Sequence, residues 1–96
     1  MDVVPPGSGW TETEPFEPFR CNGFLYGRGV ADMKGALAAE ILVFIDLYRR
    51  DNFDGRAVLM IAGDEEVGGD DGTARLVERF HDVDFVIVGE ATDLDI

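Results

Sequence analysis

Residues Arg56 to Gly72 read RAVLMIAGDEEVGGDDG, and the reading of this stretch decides the fold. Its first half, Ala57 to Ala62, is an unbroken apolar run with turn signals at both ends, the pattern of a strand covered on both faces. Its second half leaves that strand through Gly63 and sets three carboxylates in succession, Asp64, Glu65 and Glu66. Two carboxylates about 4 Å apart repel by roughly 4 kcal/mol at an effective dielectric near 20. Either these acids point into water, or a positive charge sits among them.

Outward from this stretch, VDFVIV at 83–88 repeats the pattern of a buried strand and ends at Gly89 and Glu90. Between the two, Thr73 to His81 sets Leu76, Val77 and Phe80 at helical spacing and predicts a short helix. Upstream, Asp32 to about Arg50 is helical, with Asp32 as N-cap or first-turn residue and Arg49 and Arg50 at the negative end of the dipole. Its body, ALAAEILVFIDLY, is apolar on most sides, so a covered helix is expected. Met1 to Val4 reads as the tail of an earlier strand. Pro5 to Arg28, which holds all four prolines, reads as a long loop with a short strand at Phe24 to Tyr26. Strands alternating with helices in this order predict an α/β fold, a layered sheet with helices and largely parallel strands.

Ninety-six residues make one domain at most. Twenty acidic against eight basic residues give a net charge of −12, which argues against nucleic acid and anionic membrane surfaces as partners. No apolar run approaches the length that crosses a bilayer, and no secretory leader pattern opens the chain. A single cysteine, Cys21, suits a reduced, cytoplasmic setting. Seven arginines accompany only one lysine, Lys34. An acidic surface almost without lysine predicts a halophilic source, where salt screens self-repulsion, and hence a melting midpoint that rises from low to molar potassium chloride.

The acids fall at related places. Glu65 and Glu66 follow one expected strand, Glu90 follows the next, Asp2 lies at the end of an earlier one, and Asp32 opens the long helix. In an open α/β sheet the carboxyl ends of the strands share a crevice, so these side chains converge. Lys34 and Arg28 cannot neutralise five carboxylates, and a bound cation follows. The calcium-loop pattern fails, since counting from Asp64 puts Arg75 at position twelve. GRGVAD lacks the third glycine of a dinucleotide fingerprint, and no cofactor-binding motif is found. Singly, each acid has a plainer account: a solvated loop for Glu65 and Glu66, a helix cap for Asp32. His81 reads as a surface residue complementing a helix dipole. Only the joint placement argues for a metal.

DVVPPGSGW, PFEPF, NGFLYGRGVADMKGALAA, GDEEVGG and VGEAT occur in an order that resembles the metallopeptidase family of acetylornithine deacetylase, succinyl-diaminopimelate desuccinylase, carboxypeptidase G and the aminoacylases. The resemblance covers nearly all 96 residues. It implies a zinc-peptidase-like catalytic domain with two Zn2+ ions, or cobalt or manganese in their place. On the matching positions Asp32 would bridge the metals, and Glu66 and Glu90 would each bind one. Glu65 would be the general base that takes a proton from the attacking water. Asp2 would hydrogen-bond a ligand histidine and fix its tautomer. The family also tends to have a cis peptide after the bridging acid, here Asp32–Met33. The implied reaction is metal-dependent hydrolysis of the amide bond of an N-acyl amino acid or short peptide.

The family's first ligand histidine would fall one position before Met1. Its last histidine, the later strands and the lid or dimerisation domain have no counterpart in residues 1–96. The expectation is therefore a partial catalytic domain, inactive by itself and a weak zinc binder, with a homodimer forming through a domain absent here. The competing expectation is a non-catalytic, truncated acidic domain without a complete metal site.

Overall fold

A computed structural model describes residues 2–92; Met1, in the expected first strand, lies outside them, as do residues 93–96. The long loop expected from Pro5 to Arg28 contains a hairpin. Strand β1 (Phe19–Cys21) pairs antiparallel with β2 (Phe24–Tyr26), with Arg20 opposite Leu25. The two-residue turn is Asn22-Gly23, both in the left-handed region at φ 49° and 85°. An asparagine tolerates that region and a glycine has no Cβ to oppose it, so the dipeptide turns the chain with the twist that antiparallel strands need. The expected strand at Phe24 to Tyr26 is present. Its partner was not expected, although Asn22-Gly23 was the signal for it.

Helix α1 (Gly35–Tyr48) is shorter at its start than expected. Asp32 is not its cap: its backbone is extended (φ −114°, ψ 102°), it makes no capping hydrogen bond, and it lies in a five-residue π-type turn, Val30–Lys34. The peptide bond between Asp32 and Met33 is cis, as the family resemblance implied. At the other end the Arg49 N–H bonds the Ile45 and Asp46 carbonyls, and the Arg50 guanidinium pairs with the Asp46 carboxylate. Helix α2 (Thr73–Arg79) begins where expected and ends two residues early.

The apolar segments 57–62 and 83–88 make no ladder among the described residues. They nonetheless begin side by side, because Arg56 Nη2 bonds both the Asp82 carboxylate (2.7 Å) and the Asp82 carbonyl (2.9 Å). The expected double coverage is absent for 83–88: Phe85 and Ile87 are both 90 % exposed. Helix α1 likewise leaves Leu42 and Val43 in solvent. No apolar side chain among the described residues is fully buried. The accessible surface, 8147 Å², far exceeds the roughly 5,400 Å² typical of a compact monomer of this mass. The radius of gyration, 16.0 Å, exceeds the roughly 12.5 Å of a compact domain of this length. A two-stranded antiparallel sheet and two helices are compatible with an α/β class. No helix among the described residues is long and apolar enough to cross a membrane.

Candidate functional site

The loop from Gly63 to Gly72 closes on itself. A Cβ at Gly72 would collide with the Gly63 carbonyl oxygen, so the two ends of the loop touch through bare backbone. Inside it, Asp64 takes the left-handed conformation (φ 71°), its carbonyl accepts the Gly69 N–H at 2.7 Å, and its carboxylate accepts the Asp71 N–H at 2.9 Å. These bonds wind Glu65–Val67 into a single 3-10 turn, which Gly68 ends at φ 120°. The acids are thus fixed by the backbone of a closed loop rather than left on a free tail.

The first N–H groups of any helical turn lack partners within it. Here Asp2 supplies them: its Oδ1 accepts the Glu65 N–H and its Oδ2 the Glu66 N–H, each at 3.3 Å. One carboxylate therefore docks the chain's beginning onto the turn that presents Glu65 and Glu66. The resemblance gave Asp2 a histidine partner instead; a carboxylate has lone pairs for both.

Glu90 reaches the same neighbourhood from another direction. Gly89 passes over the first turns of α1, where an added Cβ would lie 2.6 Å from the Glu40 carboxylate and 3.1 Å from the Ala36 Cβ. A side chain at this position would have to displace the Glu40 carboxylate and crowd Ala36. Partial desolvation, then the negative charges of Asp32, Glu65 and Glu66 in that order, raise the Glu90 carboxyl above its ordinary value. Asp32, Glu65, Glu66 and Glu90, from three separate segments, thus share one electrostatic field. Electrostatically, this donor set fits a divalent cation, because like charges that oppose one another's ionisation favour a positive charge among them.

The convergence is looser than a ligand shell. Among the described residues, no three His, Cys, Asp or Glu side chains lie close enough to hold a metal ion. The donors are also all oxygen. His81 stands apart at the end of α2, with its Nδ1 3.0 Å from the Glu78 carbonyl oxygen. A concavity of about 420 Å³ beside the loop is lined by residues such as Ile61, Asp71, Arg75 and Arg79. Gly72 has its signal in the sequence as a glycine beside an acid, at the bend where the loop closes on the Gly63 backbone.

A closed acidic loop is joined to Asp2, and the charges of Asp32, Glu65 and Glu66 act on Glu90; the chain belongs to peptidase family M20/M25/M40, whose model matches residues 1–96. The chain is 46 % identical to the succinyl-diaminopimelate desuccinylase of Nitrosospira multiformis over 102 aligned residues covering 98 % of this chain. It spans 26 % of that relative's length. No solved structure matches the chain.

Proposed function

We propose that this chain is the acidic part of a metal-dependent amidohydrolase that cleaves the amide bond of an N-acyl amino acid or short peptide. The relative's name makes an N-succinyl diamino acid the first substrate to test. The observation that carries this reading is that the Asp2 carboxylate holds the Glu65 and Glu66 amides while the charges of Asp32, Glu65 and Glu66 act on Glu90. Asp32, Glu66 and Glu90 would hold two divalent ions, zinc in the first instance, with nitrogen donors supplied from outside these residues. Bound divalent metal supplies an activated water near neutral pH and polarises the scissile carbonyl.

Glu65 would take the proton from the attacking water and deliver it to the leaving nitrogen. The water oxygen bonds the acyl carbon, the carbon–nitrogen bond breaks, and a carboxylic acid and an amine leave. Asp2 would hold the turn that aims Glu65 and Glu66. Segments 57–62 and 83–88 would be neighbouring parallel strands of a layered sheet completed by further chain, within a partial catalytic domain. Their common start at Arg56–Asp82 and the nearness of Glu66 to Glu90 at their ends support that direction.

A non-catalytic acidic domain is the second reading, and the absence of a three-residue ligand cluster among the described residues favours it. Calorimetric titration of the 96-residue chain with zinc tests whether these carboxylates hold metal without outside donors. Weak binding without hydrolysis of N-acyl substrates is expected, and tight binding of two zinc ions by this chain would refute the need for outside donors. In a longer chain carrying this stretch, Glu65→Gln should abolish turnover and spare the metal content. Loss of metal instead would make Glu65 a ligand.

A further inference from the structure

We infer that Arg28 is a positioning residue that ties the segment carrying Asp2 to the turn carrying Asp32, and so sets the spacing of the carboxylate cluster. The inference rests on the hydrolase reading only for what the cluster does. Arg28 Nη2 donates to the Pro6 carbonyl at 2.7 Å, across 22 positions of sequence. The same carbonyl accepts the Trp10 indole N–H, also at 2.7 Å, and the guanidinium lies over the Trp10 ring at 5.3 Å. The Arg28 backbone N–H bonds the Pro15 carbonyl at 2.6 Å. One residue therefore gathers three points of the proline-rich loop.

Both ends of this tie lead to the acids by short, constrained paths. Pro6 is four residues after Asp2, and Pro5-Pro6 restricts the backbone between them. Arg28 is four residues before Asp32. Val30 N–H to Gly27 O (3.2 Å) and Lys34 N–H to Gly29 O (2.9 Å) stiffen that stretch. A second contact runs in parallel. Gly29 is buried against Val3, where an added Cβ would lie 2.6 Å from Val3 Cγ1. Arg28 Nε is buried without a partner among the described residues, which a merely solubilising arginine would avoid by keeping it in water. One guanidinium N–H and its flat face are both in use, and lysine has no such face.

Hydrogen exchange of the Glu65 and Glu66 amides, which Asp2 holds, reads the tie without any metal. In Arg28→Ala and Arg28→Lys these amides should exchange about threefold faster or more relative to the α1 amides, since loosening Pro6 frees Asp2. Trp10→Phe, which removes one donor to Pro6 and keeps the ring, should show a smaller acceleration of the same kind. Arg50→Ala, an equal loss of charge at the far end of α1, should show none. Unchanged exchange at Glu65 and Glu66 in Arg28→Lys would overturn the inference. So would acceleration spread equally through α1 in both Arg28→Lys and Trp10→Phe, which would make the arginine a general support. A zinc titration of a longer chain carrying this stretch is run alongside. No zinc binding there with the exchange effect intact would sink the metal reading and leave the tie standing.

Discussion

Asp2 and Glu66 are 64 positions apart, yet the Asp2 carboxylate accepts the Glu66 backbone N–H at 3.3 Å and the Glu65 N–H through its other oxygen. The contact caps a helical turn from a distant part of the chain, and it places an anion at the positive end of that turn. Removing a capping oxygen of this kind costs about 1 kcal/mol. Asp2→Ala should lower unfolding stability by about that amount in urea. Asp2→Asn, which keeps one acceptor, should lose roughly half as much. Equal stability of both variants and the wild type would show that solvent satisfies the two amides just as well.

The closure of the acidic loop makes a second, sharper demand. Gly72 touches the Gly63 carbonyl, whereas the space around Gly68 is open although its φ is 120°. Gly68→Ala should therefore cost only the backbone strain of an L-residue, about 1 kcal/mol. Gly72→Ala must force backbone apart, and overpacking of that kind costs about 1–3 kcal/mol. Thermal melts of the two variants decide the order. A Gly68 variant less stable than the Gly72 variant would mean that the loop ends do not meet in solution.

Arg56 and Asp82 fix the common start of the two apolar segments. The Arg56 hydrogen bond, reinforced by the aspartate's own backbone and by the guanidinium charge, holds Asp82 below its ordinary value of 3.8. A carboxylate with a lowered folded-state pKa contributes stability that is present above the unfolded value and lost as pH falls through the folded one. Arg56→Ala should raise the Asp82 midpoint, followed by carbon-13 NMR, toward the ordinary value, with the lowering by the aspartate's own backbone remaining. A midpoint indifferent to Arg56 would place the two segment starts apart.

Much of this arrangement could be read from residue order. The apolar runs ending at Gly63 and Gly89 carry the expectation that Glu65, Glu66 and Glu90 share one neighbourhood, and the Glu65 and Glu66 charges do act on Glu90. Asp32 was harder. As an acid at the head of an apolar helix it has the local signature of a cap, but a π-type turn and a cis peptide separate it from α1, and no composition rule encodes either. The burial of 83–88 was also misjudged. Periodicity says that Phe85 and Ile87 want apolar neighbours, and nothing among residues 2–92 provides them. The hairpin at Asn22-Gly23 is legible from the dipeptide, since both residues tolerate the positive φ its turn requires.

Glu90 offers the most direct test of the shared field. Its carboxyl is raised above its ordinary 4.5 by partial desolvation and by the charges of Asp32, Glu65 and Glu66. A glutamate shifted this way binds its proton more tightly in the folded state than in the unfolded one. Its contribution to stability is therefore fully present below the unfolded value and lost as pH rises through the folded one. An NMR titration should place the Glu90 midpoint above 4.5. Asp32→Asn should lower it, since one of the opposing charges is gone, and so should Glu66→Gln. A divalent cation entering the cluster should lower it further by reversing the sign of the local field. Acids dispersed into bulk water would instead leave Glu90 at its ordinary midpoint, unmoved by either substitution, and no cation would then be needed to hold them together.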